Sequence, residues 1–247
     1  MLSALYAMEM KHIREEIVLA TPGERVPGVL IRPAGARAVP AALLLHGLSS
    51  TKERMSDSIG GALASRGIAS LAIDLPLHGE REGDVRDLSP LRPFAVIAKW
   101  KLAVTDAIAA LDYLAEHRGI DGSRLALVGY SLGAFLSVQL ASDDSRVEAV
   151  VLAAGGDFPD GLPFESVVRA IADPVKSIRR MNKPVLMING QFDRTVTPAQ
   201  ARRLHDAARE PKTIRWYRGG HWPPQPELEA AADWVAALFG TSLRQAI

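Results

Sequence analysis

The chain has no cysteine among its 247 residues. That absence removes disulfides, thiolate nucleophiles and cysteine-based zinc sites together, and it suits a reducing cytoplasm. Charge of one sign is also missing: 29 Lys+Arg stand against 28 Asp+Glu, a formal net charge of +1. No global field then draws the protein to nucleic acid or anionic lipid, so the expected partner is a small molecule. Long apolar runs are absent too. Met1 to Met10 has only a short apolar stretch and no basic n-region, and Lys11 to Glu16 then turns charged, so neither a signal peptide nor a membrane span is expected. There is no P-loop, no Gly-x-Gly-x-x-Gly and no His-x-x-x-His spacing. Nucleotide chemistry is disfavoured, and neither a cofactor nor a metal site is expected.

What is present is enough for a large core. Hydrophobic residues make up 48% of a chain with no low-complexity tract, which predicts one domain over residues 1–247. Short aliphatic runs alternate with longer segments of helical period, the pattern of a mostly parallel sheet wrapped by helices on both faces. Ile13 to Ala20 and Gly28 to Arg32 are separated by too few residues for a helix, so they are expected as an antiparallel hairpin at a sheet edge. A homodimer through that edge is admitted by the sequence, although its charged residues favour solvent. Ala41 to Leu45 and Ile68 to Ile73 read as strands covered on both faces, with Thr51 to Arg66 as the helix between them. Ala95 to His117 follows as a long helix, then the strand Leu125 to Gly129 and the helix Leu132 to Leu140. Val147 to Ala153, Val185 to Ile188 and Thr213 to Tyr217 bring the expected sheet to about eight strands. Pro198 behind Thr197 opens one further helix, and Glu227 to Phe239, ended by Gly240, closes the fold. Leu75 to Phe94 and Gly155 to Arg180 break the alternation and read as insertions, the second as a small lid.

The chemistry concentrates on Gly129-Tyr130-Ser131-Leu132-Gly133. Gly-x-Ser-x-Gly carries little by itself, but here a strand runs directly into it and a helix leaves it, the strand-turn-helix setting of a nucleophile elbow. Small residues two positions either side of the serine let strand and helix approach without Cβ clashes. A serine hydroxyl is protonated at neutral pH and needs a base oriented by a carboxylate. Asp193, in Asn189-Gly190-Gln191-Phe192-Asp193, follows one later strand, and His221, in Arg218-Gly219-Gly220-His221-Trp222, follows the next. Both fall at the carboxyl ends of parallel strands, the edge that also carries Ser131. Asp157, beyond the preceding strand, is the rival acid. His205 lies within a helix, His117 near a helix end and His12 in the first strand, so none competes with His221.

The order Ser, Asp, His resembles the α/β-hydrolase superfamily, and the resemblance covers nearly the whole chain. Leu43-Leu44-Leu45-His46-Gly47-Leu48 looks like that family's oxyanion-hole segment, and Asp74-Leu75-Pro76-Leu77-His78-Gly79 resembles its D-x-P-x-H-G turn. Asp173-Pro174, Lys183-Pro184-Val185-Leu186, Gly190 and Asp193 are similar to the dienelactone hydrolase and prolyl-oligopeptidase-like esterase branch. The resemblance implies a serine carboxylesterase with Ser131, His221 and Asp193 as its triad. The backbone N–H groups of Leu48 and Leu132 are expected to stabilise the oxyanion, each worth roughly 3 kcal/mol. His46 and His78 are expected as pocket-floor residues, beside Gly47 and Tyr130. Phe158, Leu162, Phe164 and Trp222 are expected to enclose an apolar pocket with Leu48, sized for short to medium acyl groups. Arg81, Arg86 and Arg92 are candidates for holding a substrate carboxylate. The same triad equally suits a thioester, a lactone or a carbon–carbon bond, and a ligand-binding protein on a hydrolase scaffold is the non-enzymatic alternative.

Overall fold

A computed structural model of the protein describes residues 12–21, 24–87 and 93–241. Arg92, the stretch Met1 to Met10 and the tip of the first hairpin lie outside the described residues. In chain order the elements are β1 (His12–Ala20), β2 (Arg25–Pro33), β3 (Val39–Leu45), α1 (Lys52–Met55), α2 (Gly61–Ala64), β4 (Ala69–Ile73), α3 (Pro93–Glu116), β5 (Ile120–Tyr130), α4 (Leu132–Asp143), β6 (Val147–Ala153), α5 (Glu165–Ala172), α6 (Pro174–Arg180), β7 (Val185–Gly190), α7 (Pro198–Ala207), β8 (Lys212–Tyr217) and α8 (Gln225–Phe239). The strands form one sheet in the order β1-β2-β4-β3-β5-β6-β7-β8. β1 pairs antiparallel with β2 and β2 antiparallel with β4, while every later pairing is parallel. This is the α/β-hydrolase fold, with the hairpin at the sheet edge.

The inner strands are aliphatic throughout because both their faces are covered. Leu43, Leu45, Leu71 and Leu127 pack with Leu111 of α3, Leu136 of α4 and Leu204 of α7 on one face. Ala42, Leu44, Ala72 and Val128 pack with Leu63 of α2 and Val235 of α8 on the other. Two expectations are corrected. The segment Thr51 to Arg66 is not one regular helix: α1 and α2 are joined by a π-turn over Ser56–Gly60. That wider turn lays Gly60 on β2, where a Cβ would stand 2.8 Å from Ile31 Cδ1. Nor is Gly155 to Arg180 a lid throughout. Asp173 caps α6 through a bond from the Lys176 N–H, and α6 packs on α4 and α7 as part of the sheet's flank, which leaves residues 155–172 as the covering segment. No helix among the described residues is long and apolar enough to cross a membrane.

The carboxyl ends of β3, β4, β5, β7 and β8 converge on one edge, and the first two are bound to each other through His46. Its imidazole is fully buried. Nδ1 donates to the Gly47 carbonyl at 2.8 Å, and Nε2 accepts the Leu75 N–H at 3.0 Å. The two partners define one neutral tautomer. Burial pushes the His46 pKa down to about 4, because a charged ring would lose its hydration here. Asp74, at the end of β4, braces the same corner. It accepts the backbone N–H groups of Lys52 at 2.9 Å and Glu80 at 3.1 Å, and the buried Lys52 ammonium lies 3.3 Å from it. Gly79 passes over that carboxylate with φ +58, where a Cβ would be 2.1 Å from Asp74 Oδ2.

Two outcomes follow. Because His46 takes up its proton more readily unfolded than folded, stability is complete above the ordinary histidine range and falls as pH drops from about 6.5 toward about 4. Denaturation midpoints across that window should fall more steeply for the wild type than for His46→Gln. At Gly133, a Cβ would stand 2.0 Å from the Leu45 carbonyl oxygen, so Gly133→Ala should cost at least about 2 kcal/mol in urea denaturation.

Candidate active site

Ser131 occupies the turn between β5 and α4 with φ 50 and ψ −110, a region that side-chain-bearing residues rarely enter. The surroundings hold it there. Its N–H donates to Ala153 O at 2.9 Å and its carbonyl accepts the Ala134 N–H at 2.9 Å. A Cβ on Gly129 would lie 2.3 Å from Gly133 O, so strand and helix meet only because both flanking positions are glycine. The turn lifts the Ser131 side chain off the strand end and toward His221.

Asp193 and His221 reach the serine from beyond the ends of β7 and β8, across the intervening β6. His221 Nδ1 lies 2.8 Å from Asp193 Oδ2 and Nε2 lies 2.9 Å from Ser131 Oγ. A carboxylate accepts, so Nδ1 carries the proton and Nε2 is left to accept from the serine hydroxyl. The other oxygen of Asp193, Oδ1, takes the N–H groups of Thr195 at 2.8 Å and Val196 at 3.1 Å, which fixes the carboxylate plane. The two loops are tied together. Phe192 N–H donates to Gly219 O at 2.9 Å, and the Tyr217 hydroxyl donates to Gly220 O at 2.8 Å. Burial raises the Tyr217 pKa, so this donor stays protonated. A Cβ at Gly190 would come within 2.1 Å of Gly220 O, so the loops that carry Asp193 and His221 could not close on each other with a larger residue there.

The β3 side of the cleft supplies backbone. Leu132 opens α4, so its N–H has no intrahelical partner and sits at the positive end of the helix dipole. Opposite it, the Gly47–Ser50 turn is pinned by the Ser50 N–H bond to Gly47 O at 3.1 Å and by the Ser49 N–H bond to His78 Nε2 at 3.2 Å. His78 Nδ1 in turn donates to Pro76 O at 2.8 Å, and its ring meets that of His46 edge-on at 4.9 Å. Both histidines therefore hold the turn that carries Leu48. His78 also borders the cleft, whereas His46 lies beneath it. Gly47 lies against the Tyr130 ring, where a Cβ would be 2.7 Å from Cδ1.

The cleft has two adjoining lobes of about 290 and 140 Å³, joined to the Ser131 turn through Leu132; Ser131, Gly47 and Tyr130 themselves line neither lobe. Phe158 and Leu162 line the larger one and Leu48 the smaller, while Leu132 lines both. The first turns of α3 complete the walls with Val96, Ile97 and Trp100, which the periodicity assigns only to a helix face.

Several expected residues are elsewhere. Phe164 stands at the N-terminus of α5, about half exposed, and lines neither lobe. Trp222 packs on Tyr130 at 4.5 Å and under the Arg54 guanidinium at 4.3 Å, with the opposite core cluster, so it buttresses Tyr130 rather than enclosing the pocket. Arg81 is fully buried in ion pairs with Glu24 and Asp106 and does not face the cleft as a carboxylate receptor. Arg86 pairs with Asp84 on the surface. Asp157 is bound by Arg169 at 2.9 Å and Arg203 at 3.2 Å, which anchors the covering segment; the acid touching His221 is Asp193. Glu53, Asp74 and Glu80 come close enough together to suggest a cation, but the Lys52 ammonium already bonds all three.

A model of the dienelactone hydrolase family matches residues 26–221. The chain is 30% identical over 122 residues to a polyketide transferase of Stachybotrys chlorohalonatus, 49% of this chain and 38% of that one, so it spans well under two thirds of that relative's length. Among solved structures it is similar to a cold-adapted esterase from an Arctic intertidal metagenomic library, with a TM-score of 0.72, 25% identity and coverage of 92% of this chain and 94% of that one. An acetyl xylan esterase from Paenibacillus sp. R4 shares the fold at a TM-score of 0.74, with 22% identity over 95% of this chain and 86% of that one. With a family match that runs from residue 26 to residue 221, over most of its length, the chain belongs to the dienelactone hydrolase family.

Proposed function

We propose that the protein is a serine carboxylic-ester hydrolase acting on short- to medium-chain acyl esters of small molecules through an acyl-enzyme on Ser131. The observation that carries this reading is the unbroken relay from Asp193 Oδ2 through His221 to Ser131 Oγ, at 2.8 and 2.9 Å, with Leu132, the residue after the serine, lining an apolar cavity. The esterases and hydrolases among its relatives support the reaction class.

Ser131 Oγ attacks the ester carbonyl carbon as His221 Nε2 takes its proton. The imidazolium so formed keeps its Nδ1–H on the Asp193 carboxylate, which stabilises the charge without accepting that proton. Negative charge develops on the carbonyl oxygen and is met by the N–H groups of Leu132 and Leu48. The tetrahedral intermediate collapses, and the alcohol leaves with the proton from His221 Nε2. Water, deprotonated by the same nitrogen, then attacks the acyl carbon and releases the acid and free Ser131. The absence of cysteine suits this work to a reducing cytoplasm.

A panel of nitrophenyl esters of increasing acyl length tests the assignment. Ser131→Ala should lower kcat by at least about 10⁴-fold, and a mutant with full activity would overturn the mechanism. Asp193→Asn should lower kcat by about 10⁴-fold, because an amide holds the imidazole in the wrong tautomer, whereas Asp157→Asn should stay within about threefold of the wild type. The reverse ranking would transfer the acid's role to Asp157.

A further inference from the structure

Trp100 stands where the two lobes of the cleft join, lining both of them together with Val96 and Leu132. The larger lobe lies under the covering segment, walled by Phe158, Leu162, Val168 and Ile171. The smaller runs beneath Leu48 and His78 toward the buried Leu75, Ala103 and Leu136. The indole is not loose: Trp100 Nε1–H donates to Gln139 Oε1 of α4 at 2.7 Å, a part-buried bond that swinging the ring would break. Leu132 supplies the other shared wall, and its N–H is one of the two groups assigned to the oxyanion. A carbonyl held there therefore has one lobe available for each of its substituents.

The chemistry of the walls narrows what those substituents are. The larger lobe is lined by apolar side chains with the Trp100 ring among them. The cations around the cleft are already engaged: Lys99 Nζ bonds Glu24 Oε1 at 3.2 Å, Arg81 pairs with Glu24 and Asp106, and Arg169 pairs with Asp157 and Glu165. A carboxylate entering the larger lobe would lose its hydration and find no partner. Resting on the assignment of Ser131 as nucleophile, we infer that Trp100 partitions the site, and that the substrates are neutral esters apolar on both sides of the carbonyl. The acyl chain lies under the covering segment and the alcohol side beneath Leu48. Chain-length preference is then set by the indole and by the reach of Leu162.

The test compares kcat/KM for nitrophenyl butanoate, nitrophenyl octanoate and the ω-carboxylated octanoate. Removing the partition in Trp100→Ala should raise the octanoate-to-butanoate ratio about tenfold, the discrimination that a methylene or two of pocket space provides. Leu162→Trp, a change in the covering segment, should lower the same ratio about tenfold by filling the larger lobe. It decides the question if circular dichroism shows Trp100→Ala unfolded. The wild type should use the carboxylated ester at least about a hundredfold less well than octanoate. Ratios unchanged in the folded variants, in an enzyme that hydrolyses butanoate, would overturn the partition and leave the hydrolase reading standing. A carboxylated ester used as well as the neutral one would overturn the substrate class. A wild type that hydrolyses no ester would overturn the hydrolase reading itself.

Discussion

The contact between the first turn of α4 and the end of β3 is the constraint on which the rest of the site depends. Gly133 lies so close to the backbone of Leu45 that a single methyl group would collide with its carbonyl. That approach sets the start of α4 beside the turn carrying Leu48, and it requires the Ser131 backbone to bend through φ 50. Strain of this kind costs of order 1–3 kcal/mol at one residue. The neighbouring β3 and β6, both paired with β5, offset it: the parallel ladders fix the strand end, and Ser131 itself bonds Ala153. Strain is thus concentrated at the residue whose hydroxyl is presented to the cleft, with the most heavily buried part of the sheet as its support.

A second layer of order comes from histidines in contrasting surroundings. His46 is sealed, and both its ring nitrogens are used up by backbone partners. Burial keeps it neutral well into the acid range, so it acts as an uncharged clamp joining the ends of β3 and β4. His78 repeats the device one step nearer the surface, holding Ser49 and the Pro76 carbonyl. His221 differs from both: one nitrogen faces a carboxylate and the other a hydroxyl, and its side chain keeps contact with solvent. Of the three, it alone has a neighbour able to give it a proton and a neighbour able to stabilise the charge that results. The difference is one of surroundings, since the side chains are identical.

Much of this was legible in the sequence, for a definable reason. The aliphatic runs, the glycines around Ser131 and the loops ending in Asp193 and His221 are local signals, and a parallel sheet necessarily brings successive strand ends to one edge. What was not legible depends on partners far along the chain. Arg81 reads as a surface charge until Asp106, on another element, draws it into the interior. Phe164 and Phe158 are alike in sequence, yet the left-handed backbone at Phe164 turns it outward while Phe158 stacks on Phe135 at 5.2 Å. Trp100 shows only helical periodicity; that its helix begins over the active-site edge is a matter of where α3 lies across the sheet. The Asp173-Pro174 pair did contain a signal, an N-cap followed by proline, which marks the beginning of α6 and the end of the covering segment.

In the proposed mechanism Ser131 Oγ is the atom that bonds covalently to a substrate. An organophosphate reproduces that bond in a form that persists, and intact-mass and peptide mass spectrometry locate it. The expected result is one phosphoryl adduct per chain, on the peptide containing Ser131, and none in Ser131→Ala. A protein that remains unmodified under conditions that label a known serine hydrolase, or one that is labelled at another residue, would contradict it.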